Sequence, residues 1–244
     1  MVAAADLKAY QAANMPEDDT STVGGAINTN GLVEFTQMAA SDTLEALSDN
    51  AADTMNLTIT GRNTGGAIDS QTLAMNGTTV VSFTTTLERL LKAVLATGPV
   101  GNVTIRRSGA GATVATIPAG KTSVRRLFYD SASEVGATVR YEKVFFKNEH
   151  GVDTLSNAKI NLSADPTATI EVGCAPSKGD TATATNRKTA PASVVFVDDG
   201  IDQSIPTSNL AAGESIGVWA KMSLGAGAAA IKSTFTLDLA GTSP

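Results

Sequence analysis

Cysteine, histidine and tryptophan occur once each in the 244 residues, as Cys174, His150 and Trp219. A lone cysteine excludes an intrachain disulfide and any metal site built from several thiolates. A lone histidine excludes a multi-histidine zinc site and leaves a single general base of the usual kind. Aromatic residues make up 5% of the chain, and they form no series of rings on which bases could stack. Basic residues are also scarce: 18 Lys and Arg against 24 Asp and Glu give a net charge of −6, without a basic stripe for nucleic acid or an anionic membrane. No run approaches the ~18 apolar residues that span a bilayer. The opening "MVAAADLKAYQAANMPEDD" lacks a positive segment followed by a long apolar one, so no signal peptide is expected and synthesis in the cytoplasm is.

Small residues fill the chain instead: Ala, Thr, Gly, Ser and Val dominate, a mixture suited to short strands and tight turns. Regular signals begin at Thr54, where Met55, Leu57 and Ile59 alternate with Asn56, Thr58 and Thr60. "AIDSQTLAM", "NVTIRRS", "TVATIPA", "AKINLSAD", "ATIEVGCA", "ASVVFVDDG", "ESIGVWAKMSL" and "AIKSTFTLDLAG" read as further strands, and Asn76-Gly77 as a hairpin turn. In "ATVRYEKVFFKNEHG" large groups alternate on both faces, which predicts a central strand or one covered on both sides. Leu87, Leu90, Leu91, Val94 and Leu95 fit helical spacing while the threonines before them favour a strand, so both readings stay open there.

Before Ala52 the pattern is irregular. "AADLKAYQAAN" fits a short helix that meets Pro16, "LVEFTQMA" a strand, and "SDTLEALSDNAAD" a short helix capped by Ser41. The expectation is an all-β chain of two antiparallel β-sandwich domains, residues 53–120 and 121–244, preceded by an N-terminal arm or strapping segment over residues 1–52. The seam is placed at Gly120 to Thr122.

That seam lies in "IPAGKTS", whose Gly-Lys-Thr ends the phosphate-binding signature G-x-x-x-x-G-K-[ST]. The first glycine of the signature is replaced by Ala115, Pro118 removes a backbone donor, and "KTSVRRLFYD" alternates like a strand where a helix is required. A connecting turn is the reading these residues support. His150 in "KNEHGVD" sits in a turn, with no G-x-S-x-G elbow in the sequence to supply a nucleophile. Cys174 in "TIEVGCAPS" reads as a small buried hydrophobe rather than a reactive thiol. Asp198, Asp199 and Asp202 make an oxygen-rich turn, but their spacing departs from a calcium loop; a solvated acidic turn is favoured and calcium stays open. No catalytic residue, cofactor site or metal site is assigned.

Two elements stand out as candidate partner contacts. Trp219 falls on the opposite face of its strand from Ile216, Val218 and Ala220, so it is either a second core layer under a loop or an aromatic anchor for another protein. Asp18 and Asp19, in the arm from Met1 to about Gly25, offer charge for a basic patch on a partner.

The stretches "NLTITGRNTGGAIDSQTLAMNGTTVVSFTTTLERLLKAVLA", "GNVTIRR", "VRYEKVFFKNEHGVDTLSNAKINLSADPTATIEVGCA", "NRKTAPASVVFVDDG" and "LAAGESIGVWAKMSLGAGAAAIKSTFTLDLAG" resemble structural proteins of tailed-bacteriophage virions, over about Asp53 to Gly241. The resemblance implies a non-enzymatic assembly component of the virion, foremost a capsid cement or decoration protein that binds the major capsid protein, with a neck, collar or baseplate ring protein as the alternative. It carries no catalytic or metal motif. It also implies a homo-oligomer without a nucleic-acid or membrane partner. A glycan-binding adhesin module remains the reading from another class, because fold alone does not decide function.

Overall fold

The structure is a computed structural model and describes residues 1–36, 38–128, 136–165, 169–227 and 234–243. The chain is all-β, of the sandwich type. In chain order the strands are β1 (Leu7–Asn14), β2 (Val23–Leu32), β3 (Leu44–Ser48), β4 (Asn56–Asn63), β5 (Ile68–Ala74) and β6 (Val81–Ser82). Then follow β7 (Leu87–Leu95), β8 (Val103–Arg107), β9 (Thr113–Ile117), β10 (Ser123–Arg125), β11 (Thr138–Asn148) and β12 (Leu155–Ala164). The last six are β13 (Ile170–Lys178), β14 (Thr183–Ala184), β15 (Gln203–Ser204), β16 (Asn209–Leu210), β17 (Ser215–Leu224) and β18 (Thr236–Thr242). Two single 3-10 turns, at Ala4–Asp6 and Pro206–Ser208, are the helical residues among those described.

The chain divides into two compact units, Thr29–Leu127 and the flanking pair Met1–Asn28 with Phe128–Pro244. In the unit Thr29–Leu127 one sheet runs β6-β3-β8-β9, and the other runs β10-β7-β4-β5 with β10 parallel to the end of β2 at Gly31 and Leu32. Alternation delivers Leu44 and Ala46 from β3, Leu57 and Ile59 from β4, and Val103 and Ile105 from β8 into one apolar core.

β7 resolves the helix-or-strand ambiguity. Against β4 its register is Thr60↔Lys92, Gly61↔Leu90, Arg62↔Arg89 and Asn63↔Leu87, so Leu91 and Glu88 are each extra residues at a β-bulge. Each bulge resets the alternation. Leu87, Leu90, Ala93 and Leu95 therefore all enter the core, at a spacing that imitates a helix face.

In the flanking unit the larger sheet runs β13-β17-β11-β1, followed by the first residues of β2 with β14 beside them. The second sheet is built on β12, which pairs with β15, β16 and β18. β11 lies between β17 and β1, and its pairing with β17 is unbroken from Thr138↔Leu224 to Lys147↔Ser215. Both of its faces are covered, as its alternating large groups predicted.

Several expectations change. Residues 1–52 hold strands β1, β2 and β3 instead of an irregular arm, and both helices expected there are strands. "AADLKAYQAAN" has good helix formers, but Tyr10, Gln11 and Ala12 gain burial by pairing along β11, and tertiary packing overrides propensity. In the same way β3 buries Leu44 and Ala46 while Glu45, on its other face, meets Arg106. "LVEFTQMA" contributes Leu32 to β2 and then leaves the strand, and its Gln37 lies outside the described residues. "ASVVFVDDG" forms no named strand, having left-handed Ser193 (φ 60°) and a single bridge from Val197 to Val172. The division expected at 120/121 falls after Leu127 instead, because β10 pairs antiparallel with β7 and so closes the preceding unit, and residues 1–28 group with the C-terminal part.

Candidate functional site

Three buried charged side chains, Arg140, Glu142 and Lys143, sit mid-β11 in "RYEK". A strand covered on both faces must pair any charge it carries, because an isolated buried charge is costly. Glu142 is 0% exposed. Its Oε1 accepts from Arg187 Nη2 at 2.9 Å and its Oε2 from the Phe128 N–H at 3.0 Å. Arg187, itself buried, also donates from Nη1 to the Glu17 carbonyl at 3.0 Å. On the same face of β11, Arg140 grips Asp19 through Nε at 2.9 Å and Nη2 at 2.8 Å, and Lys188 Nζ lies 3.2 Å from the same carboxylate. These bonds, Arg140's foremost, outweigh partial burial and hold the Asp19 carboxyl down at about 2.

Lys143 points to the opposite face and is 0% exposed. Its Nζ donates to the carbonyls of Gly25 (3.1 Å), Asp180 (3.0 Å) and Ala182 (3.2 Å) and to Asp180 Oδ2 (2.6 Å). The Phe145 and Trp219 rings lie 4.8 and 5.5 Å from it. Burial pushes the Lys143 pKa below its ordinary value, against the opposing pull of Asp180. Four oxygens around one nitrogen suit an ammonium group with all its donors engaged. The arrangement is a set of electrostatic clasps that fix residues 17–19 and 180–187 to β11.

Trp219 is the second core layer. It is 1% exposed and packs with Val23, Tyr141 and Ala184, so it presents no ring to a partner. Gly24 (φ +94°) makes room for it: a Cβ there would lie 2.6 Å from the ring's Cη2. Asp19 is committed to Arg140, and exposed Asp18 caps its own turn through Oδ1, which accepts from the Thr20 and Ser21 N–H groups at 2.8 and 2.7 Å. The three sequence candidates are thus not brought together at one surface. What reasoning on the sequence missed was the pairing of Arg140, Glu142 and Lys143, although the signal, charges inside a doubly covered strand, was there to read.

The remaining candidates have structural contacts. His150 Nδ1 accepts the Asp153 N–H at 2.8 Å and the Val152 N–H at 3.3 Å, stapling its turn. Cys174 is half-buried, and burial pushes its thiol up to about 12, far from a reactive thiolate. Asp202 pairs with Lys159 and accepts from Asn161 Nδ2 at 2.5 Å, and among the described residues no group of three His, Cys, Asp or Glu side chains converges as a metal site. Gly120 and Lys121 form the turn between β9 and β10, where the Lys121 ammonium donates to the Thr29 carbonyl at 2.9 Å and a strand follows instead of a helix.

Each unit also presents a strongly exposed valine on a fastened turn, and the flanking unit has another exposed valine in Val195, whose carbonyl accepts from Gln203 Nε2 at 2.7 Å. In the unit Thr29–Leu127 the buried Asp53 accepts the Val100 N–H at 2.7 Å, the Gly101 N–H at 3.0 Å and the Ser48 hydroxyl at 2.5 Å. Burial raises the Asp53 pKa, but these bonds outweigh it and keep the carboxyl below its usual range. Val100, at the tip, is 64% exposed. In the flanking unit the His150 staple presents Val152, which is 81% exposed. By contrast, every Phe, Tyr and Trp among the described residues is buried or half-buried. Comparison with known proteins finds no matching family model, curated protein or solved structure.

Proposed function

We propose that this chain is a structural protein of a tailed-bacteriophage virion, a cement or decoration protein that binds the capsid. The observation that carries the reading is the pair of stapled valines, Val100 on Asp53 and Val152 on His150. Apolar points on backbone already fixed lose little entropy on docking, which is how a rigid surface gains affinity. Each contact is small, but many copies on a repeating shell turn weak contacts into lasting attachment. The charges of β11 serve the same end, since closed inward as clasps they stiffen the frame. The shortage of exposed rings among the described residues weighs against the glycan-binding alternative, which stacks sugars on aromatic faces.

Densitometry of purified particles that carry the chain tests the role. A copy number comparable to that of the major capsid protein is expected, and the few copies of a single ring would move the chain to the neck or baseplate. Val100→Asp and Val152→Asp lower its occupancy on particles. Both sites are exposed, so stability should change by no more than ~0.5 kcal/mol. Unchanged occupancy in the double variant overturns the valine contacts.

A further inference from the structure

Sheet edges that end in solvent recruit other strands unless they are blunted, by shortness, bulges, proline, lysine or a covering segment. Most edges of this molecule are blunted. β9 is met by Thr36, whose N–H donates to the Val114 carbonyl at 2.9 Å, and β13 is bridged at Val172 by Val197. β18 pairs with β12 through two register shifts, and β6, β14, β15 and β16 are two residues each.

Among the described strands β5 is the exception: the Thr84 and Thr85 N–H groups approach it, but they bond to the Gln71 side chain, at 2.9 and 3.4 Å. It has seven residues, no proline, no lysine and no register shift against β4, and among the described residues no strand pairs with its other edge. The bonds Asn63 N–H to Ala67 carbonyl and Met75 N–H to Met55 carbonyl fix the phase of the ladder. Residues 69, 71 and 73 turn their backbone groups to β4, so those of Ile68, Ser70, Thr72 and Ala74 point outward. The side chains of these four lie on the exposed face, while Asp69, Gln71 and Leu73 are half-buried.

We propose that β5 joins two copies of this chain, edge to edge and antiparallel, into one continuous sheet. The strand is complementary to itself. Pairing about a two-fold axis at Gln71 sets Ile68 against Ala74 of the second copy and Ser70 against Thr72, and every outward N–H and C=O meets its counterpart. Charge agrees with the pairing. Asp69, the one charged residue of β5, falls opposite Leu73 of the second copy, and its carboxylate is already held by Asn63 Nδ2 at 2.6 Å. The hydroxyl pairs Thr60–Ser70 (2.7 Å) and Thr58–Thr72 (2.8 Å) then line up with those of the second copy across the joint.

The test is made on the free chain, independently of any particle. Light-scattering mass is measured across the micromolar range for the unmodified protein, Thr72→Pro and Thr72→Lys. The Thr72 N–H points away from β4, so proline there leaves the internal ladder intact; lysine blunts the edge without touching the backbone. The expected result is an assembly of at least two 24.8 kDa chains whose mass halves in both variants, with unchanged circular dichroism. A monomer at every concentration, or a mass unmoved by Thr72→Lys, overturns the proposal. Hydrogen exchange on the unmodified chain decides the matter should either variant misfold. The Ser70 and Thr72 amides are expected to slow as concentration rises, and fast exchange throughout counts against the joint.

Discussion

Gly24 shows how one residue sets the packing of the largest side chain. Its φ of +94° is strained for any side chain, and the ring of Trp219 occupies the space a Cβ needs. Gly24→Ala therefore combines backbone strain with overpacking, a loss of about 2 to 4 kcal/mol. Thermal unfolding of the variant should show a clear drop in Tm, and an unchanged Tm would mean the ring has room to move. The alternation that sends Trp219 to the opposite face from Ile216 and Val218 was legible in the sequence. What covers that face was not, because Val23 and Ala184 arrive from segments far away along the chain.

Elements follow the period-2 signal where the strand itself carries no extra residue, as in β4 and β8. They depart from it where a bulge resets the phase or where neighbours override propensity. β7 reads as half helical because Leu91 and Glu88 are extra residues, and β1 reads as helical because its partner strand lies more than a hundred residues away, with Tyr10 in register with Phe145. Long-range pairing is also what the clasps on β11 supply. Removing one member of a buried pair leaves the other charge uncompensated, so Glu142→Gln and Arg187→Met should each cost about 3 to 5 kcal/mol. Replacing both with apolar groups, Glu142→Met with Arg187→Met, should cost less than the sum of the single changes. Chemical denaturation of the four proteins checks this, and strict additivity would show that the 2.9 Å contact is not a coupled pair.

At the scale of the whole molecule, carboxylates distributed over both units are held in their ionised form. Ser108 first of all lowers the pKa of Asp42, Lys159 that of Asp202, Lys178 that of Glu214 and Arg140 that of Asp19. A carboxyl whose folded pKa lies below its unfolded value gives stability that is complete above the unfolded value. It is lost as pH falls through the folded one, since the unfolded chain then binds more protons. For Asp19 that window runs from the ordinary aspartate value of 3.8 down to about 2. Its contribution near neutrality is about 1 kcal/mol once solvent screening is allowed for. The free energy of unfolding should stay flat from neutral pH to about pH 5 and then fall steadily in acid. Asp19→Asn should begin lower at neutral pH and fall less steeply below pH 4, because the variant has one fewer proton to take up on unfolding. Denaturation curves collected across that range make the comparison, and parallel acid limbs in the two proteins would show that the grip of Arg140 on Asp19 contributes nothing to the fold.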